Sequence, residues 1–238
     1  MKHIILFLRS FFFCVIFYTW TVGILTFFLW TFILPKKTAN FVPTLWAKGN
    51  LVILRIFGLK VKIEGRENLP KENGYLVAAK HQSALETTFL HALVPNTIYV
   101  LKKSLVFLPL AGFYFIITGC IPIDRSKGTS AMRLMLSVAK QRLKEGFNII
   151  IFPEGTRCKP HTKTKYNPGV AFIYEQCQVP VVPVALNTGF FWPKNSFKKY
   201  AGTITVRFLP PIPAGLDKRE FLHAMETQIE TACEQIKP

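Results

Sequence analysis

The sequence predicts an α/β domain, a mixed, largely parallel sheet flanked by helices, joined to an N-terminal membrane-embedded helical segment. Three observations predict it. Short β-branched runs alternate with helical patterns from about residue 60 onward, a charge-free apolar stretch runs from Ser10 to Pro35, and a second apolar stretch covers 41–59. Strands alternating with helices call for a sheet covered by helices. The implied organisation is an anchor and interfacial helix over 1–58, then the α/β domain over 59–238.

The first apolar stretch, FFFCVIFYTWTVGILTFFLWTFIL, rises about 1.5 Å per residue as a helix and so reaches across a hydrocarbon layer of about 30 Å. It is too long for a cleaved leader, and no small-x-small site follows it. Lys36, Lys37, Lys48 and Arg55 follow the stretch while Lys2 and Arg9 precede it, which favours the following side as cytoplasmic. Gly23 leaves room for a bend, so a spanning helix and a re-entrant hairpin both fit. The stretch FVPTLWAKGNLVILRIFGL, 41–59, reads as a helix broken near Gly49. Lys48 and Arg55 interrupt it, which suits the interface rather than the bilayer interior.

Beyond Gly58 strands are expected at 61–64, 75–79, 97–101, 148–152, 179–186 and 203–208. Helices are expected at about 84–94, 130–144, 169–177 and 217–236.

Half the residues are apolar, with 22 Phe, yet the formal net charge is +17. Such a combination suits an anionic membrane surface or a phosphorylated substrate. Nucleic acid is excluded as a partner: no recognition-helix, RNP-like or zinc pattern occurs. The five cysteines, Cys14, Cys120, Cys158, Cys177 and Cys233, show no CxxC spacing. That argues against a disulfide framework and a metal site, and for a reducing, cytosol-facing location.

Two blocks carry chemistry. Lys80-His81-Gln82-Ser83-Ala84-Leu85-Glu86 directly follows the strand YLVAA, at the kind of strand-to-helix junction where ligands meet a rigid frame. His81 and Glu86 are five residues apart, about 140° around a helix, so they can meet only if His81 precedes the helix and Glu86 lies in its first turn. Ser83-x-x-Glu86 is a capping box that supplies this arrangement, with Ser83 as the N-cap. Glu86 can then hold the imidazole Nδ1–H and leave Nε2 as a general base, or it can serve the cap alone. The second block, Phe152-Pro153-Glu154-Gly155-Thr156-Arg157, also follows an apolar strand. Gly155 permits a tight backbone approach and Arg157 a bidentate phosphate clamp, so the block reads as a phosphate-binding loop or a surface turn. Neither GxxxxGK(S/T) nor GxSxG is present.

Together, His-x4-Glu, GCIPIDR (119–125), FPEGTR (152–157) and VPVVPVAL (179–186) resemble the four ordered motifs of the glycerolipid acyltransferases, over about residues 60–210. The resemblance implies His81 as general base and Glu86 as its orienting partner. It implies Arg125, Glu154, Gly155, Thr156 and Arg157 as the glycerol-phosphate site, with Lys102 a further candidate and Lys165 and Gly169 second-tier. Lys102-Lys103-Ser104-Leu105 is similar to a Lys-x-Glu-Leu element, with Ser104 departing from Glu. Lys80 and Glu86 stand where the family usually has Asn and Asp, and Cys158 stands where Ser is common.

The implied acceptor is lysophosphatidic acid, made into phosphatidic acid in phospholipid biosynthesis. Acyl-CoA or acyl carrier protein thioester is the co-substrate, and no other cofactor and no metal is implied. The expected location is a membrane rich in anionic lipid, with the catalytic domain facing the cytoplasm. Competing readings are an acyltransferase for a lyso-aminolipid and a non-catalytic lipid-binding protein.

Overall fold

The computed structural model describes residues 2–237. Helix α1 (Lys2–Phe27) leads through a 3-10 turn and the short α2 (Lys36–Ala39) into α3 (Phe41–Ile56), and strand β1 (Leu59–Glu64) begins three residues later. The strands that follow are β2 (Leu76–Ala79), β3 (Thr97–Lys102), β4 (Ile121–Ile123), β5 (Asn148–Ile151), β6 (Val181–Leu186) and β7 (Gly202–Phe208). Between and after them come α4 (Leu85–Leu93), α5 (Ala111–Ile117), α6 (Gly128–Lys144), α7 (Gly169–Cys177) and α8 (Lys218–Gln235).

One sheet results, in the order β1-β7-β6-β2-β5-β3-β4. Every neighbouring pair is parallel except β6 with β7. All residues of β2, β5 and β6 are buried. Successive side chains in a strand point to opposite faces, so both faces of this central sheet are covered. The carboxyl ends of β6, β2, β5, β3 and β4 therefore lie along one edge, and that edge carries the site.

The sequence missed the one-turn α2 and two larger features, β4 and α5, and misplaced one break. β4 is three residues, Ile-Pro-Ile, too short to register a period. α5, AGFYFII, is apolar nearly all round and shows no helical periodicity. α3 runs unbroken through Gly49, because the Trp20 indole of α1 occupies the space a side chain there would need.

α1 is long and apolar enough to cross a membrane, yet it lies along the domain. Arg9 hydrogen-bonds the Lys199 carbonyl, and the Phe13 and Phe17 rings meet Trp192 at 5.5 and 5.6 Å. Further on, Trp20 Nε1 donates to the Trp46 carbonyl (3.1 Å), and Tyr114 Oη to the Leu25 carbonyl (3.0 Å). A helix held at both ends and the middle is part of the fold. Its opposite face, from Ile4 to Phe27, exposes a long apolar row.

Candidate active site

His81 leaves the end of β2 and is fixed from three sides. Its Nδ1 lies 2.9 Å from Glu86 Oε1, and its ring stacks on Phe152 at 4.1 Å and 17°. Its backbone N–H donates to Glu154 (3.2 Å), while its carbonyl accepts from the Cys158 N–H (2.8 Å) and Sγ (3.1 Å). The 152–158 loop thus grips the backbone of the His81 block. Because an ionised carboxylate can only accept, Nδ1 carries the proton and Nε2 is left as the basic nitrogen.

Glu86 is fully buried and does two jobs at once. Besides His81, its Oε1 accepts from the backbone N–H of Gln82 and of Ser83, both at 2.6 Å. Its Oε2 accepts from Thr188 Oγ1 at 2.9 Å. The cap itself sits one residue later than expected: α4 begins at Leu85 with Ala84 in the cap position. Ser83 Oγ accepts only from Leu85 N, at 3.3 Å, so Glu86 carries most of the capping.

A cavity of about 720 Å³ adjoins His81. Lys102, Arg125, Gly155 and Arg157 line its polar part, and Leu25, Trp46, Tyr114, Phe115 and Met135 line an apolar part walled by α1, α3, α5 and α6. Gly155 has φ +67°, and a Cβ there would come within 2.8 Å of Asn167 Nδ2 and 3.1 Å of Arg125 Nη1. Glycine is required on both counts.

Two residues expected at the phosphate are placed elsewhere. Glu154 is buried outside the cavity lining, 3.5 Å from Lys80 Nζ. Burial raises its pKa against the pull of Lys80. A carboxylate so placed braces the loop and would repel a phosphate. Thr156 is exposed, outside the lining, and accepts from Lys194 Nζ at 3.4 Å. Of the second-tier pair, Gly169 lines the cavity and Lys165 is exposed outside it. Cys158 is buried and its thiol is pushed up to about 11 by burial, the Glu154 charge adding to the effect, so it serves as a neutral donor to the His81 carbonyl.

The chain matches the Acyltransferase family model over residues 60–187. It belongs to this family. It is 33% identical over 193 residues to 1-acyl-sn-glycerol-3-phosphate acyltransferase of Pseudomonas aeruginosa, covering 81% of this chain and 75% of that one. The alpha form of the human enzyme of that name is 30% identical over 165 residues, covering 68% and 58%. The chain thus spans three-quarters of the bacterial relative but under two-thirds of the human one. The crystal structure of the acyltransferase PlsC from Thermotoga maritima has the same fold, with TM-score 0.81 at 24% identity over 99% of this chain and 97% of that one.

Within this acyltransferase, several partners escaped sequence reading. Lys80 is buried and pairs with both Glu154 and Glu230 of α8, and Tyr166 Oη donates to Glu230 at 2.8 Å. Burial alone would depress the Lys80 pKa, but the two carboxylates outweigh it and hold it above the ordinary value. Asn167 Nδ2 donates to the Pro153 and Glu154 carbonyls (3.2 and 3.0 Å), and Lys194 Nζ to the Arg157 carbonyl (2.9 Å). Asn167 had a visible signal, the Asn-Pro-Gly turn ahead of α7; Glu230, 150 residues from Lys80, had none.

Proposed function

We propose that this acyltransferase moves a fatty acyl group from an acyl thioester to the sn-2 hydroxyl of lysophosphatidic acid, giving phosphatidic acid. The observation that carries the reading is the oriented His81–Glu86 pair beside a cavity that is cationic at Arg125 and Arg157 and apolar beyond. Nε2 of His81 takes the hydroxyl proton as the oxygen attacks the thioester carbonyl. The tetrahedral intermediate collapses by breaking the C–S bond, and the imidazolium returns its proton to the departing thiolate. Glu86 stabilises the imidazolium while it exists. No acyl-enzyme is needed, because the thioester is already activated.

Arg125 and Arg157 hold the acceptor phosphate, with Lys102 adding charge at the same end. The apolar part takes acyl chain. The relatives, 1-acyl-sn-glycerol-3-phosphate acyltransferases, support the same acceptor. The exposed apolar face of α1 rests in a bilayer, since a row of this length is untenable in water. The lysines and arginines after α1 set the catalytic domain on the cytoplasmic side, where acyl-CoA and acyl carrier protein are both at hand. The test is mass-spectrometric analysis of products from purified protein given lysophosphatidic acid, phosphate-free lysolipids and both donor types. Phosphatidic acid from lysophosphatidic acid alone is expected. Equal turnover of a lyso-aminolipid would overturn the acceptor assignment.

A further inference from the structure

The 3-10 segment 103–107 and α5 form an outward apolar edge that the site chemistry does not use. Phe107 is 76% exposed, Ile116 60% and Leu108 47%. The two pieces are locked together. Gly112 N donates to the Leu108 carbonyl at 2.8 Å, and a Cβ at Gly112 would collide with the Val106 carbonyl oxygen. Between them Leu110 adopts φ +59° and ψ −57°, a tight turn closed by Ala111 N donating to the Pro109 carbonyl at 2.6 Å. A non-glycine residue holds this backbone only where its surroundings enforce it, and such strain gathers at ligand contacts.

We infer that this edge is a second lipid-contact surface, dipping into the same bilayer leaflet as α1 and bringing the cavity wall to the lipid; the inference rests on the proposed function. Three observations select a lipid surface over a protein partner. The edge continues α1: Tyr114 of α5 packs with Ile24 and Leu25, and its hydroxyl bonds the Leu25 carbonyl. Its inner side is cavity wall, since Leu105, Leu108 and Phe115 line the cavity. Its polar border carries Lys102 and Lys103, both exposed, with Asp124 3.7 Å from Lys103; the net positive charge left there suits anionic head groups. One leaflet touching both α1 and this edge delivers acyl chains sideways, without taking them through water.

The test compares the full-length parent, Phe107→Glu/Ile116→Glu and Phe107→Leu/Ile116→Val. Partition is titrated on vesicles of phosphatidylglycerol and phosphatidylcholine. Activity is measured with long-chain lysophosphatidate in those vesicles, and with a short-chain, monomeric lysophosphatidate and short-chain thioester without vesicles. The Glu pair should weaken partition about ten-fold or more, from two apolar side chains no longer buried in lipid. Apparent KM for the vesicle substrate should rise by a similar factor, with the soluble pair unchanged and the Leu/Val pair close to parent. Unchanged partition and KM would overturn the surface. So would equal loss on both substrates, which makes the edge part of the site, or a parent dimer that the Glu pair dissociates in light scattering, which makes it an interface between copies. If the parent turns over neither lysophosphatidate, the acceptor assignment fails while the partition measurement still decides the surface.

Discussion

Glu86 accepts from His81, Gln82 and Ser83 with one oxygen and from Thr188 with the other, so capping and orienting are tasks of one carboxylate. Substitution separates them. In Glu86→Gln the amide oxygen can keep the three donors, and its NH2 can donate to Thr188 Oγ1 once that hydroxyl turns. Stability should fall by only about 1–2 kcal/mol. Turnover should fall about three to four orders of magnitude, since the imidazolium loses its counter-charge. His81→Ala should lose about as much, and the double variant little more, as for residues acting as a unit. Near-parent turnover in Glu86→Gln beside a dead His81→Ala would reduce Glu86 to a cap. Also in the cavity lining, Arg157→Lys keeps charge but loses the bidentate fork, so KM for lysophosphatidate should rise about ten-fold or more with little change in Tm. A matching rise with a phosphate-free lysolipid would remove Arg157 from the phosphate. His81, Glu86 and Arg157 were legible in the sequence because each stands just beyond an apolar strand in a compact block. Thr188 was not: it acts on the first motif from outside it, 102 residues away, and only the fold brings the two together.

At the scale of elements, the loop after β5 and the end of β2 are joined through a buried charge cluster reaching α8. Lys80 sits between Glu154 and Glu230, with side-chain exposures of 2%, 0% and 13%. Replacing it by Met leaves two carboxylates without their cation, and removal of one partner of such a pair costs about 3–5 kcal/mol. The pH dependence identifies the cause. The folded pKa of Glu154 is already raised, by burial against the opposing pull of Lys80, and Lys80→Met raises it further. A raised carboxylate contributes stability below its unfolded pKa, 4.5, and loses it as pH climbs above that value. The gap in denaturation midpoint between parent and variant should therefore widen as pH climbs above the ordinary carboxylate range, where the parent's Glu154 ionises before the variant's; a constant gap would mean lost packing, not uncompensated charge. The expected strands and helices were legible by their alternation, each appearing within a few residues of its place. β4 and α5 carried no period, and the continuity of α3 through Gly49 depends on Trp20 in another helix.

At the scale of the whole molecule, the N-terminal helices are wall and core as well as anchor. Phe13, Phe17, Ile53 and Leu54 are buried in the same cluster as Leu59, Leu76 and Val206 of the sheet. Thr21, Leu25, Pro43 and Trp46 line the cavity that His81 adjoins. A fragment starting at Leu59 would forfeit the burial of those four side chains, about 6–12 kcal/mol at 1.5–3 each. Domains of this size are stable by only about 5–15 kcal/mol. The loss therefore matches the whole margin, and deletion of residues 1–58 should abolish cooperative unfolding and activity on soluble short-chain substrates as well as on vesicles. A milder deletion provides the contrast. Removing residues 2–7 spares Arg9, Ser10, Phe13 and every cavity residue, and takes away mostly exposed apolar surface. That variant should keep a parent-like thermal transition by circular dichroism and parent-like turnover of the soluble pair, while its vesicle partition weakens. A 59–238 fragment that melts cooperatively near the parent Tm would show the anchor to be separable, and the cavity wall it provides to be dispensable to the fold.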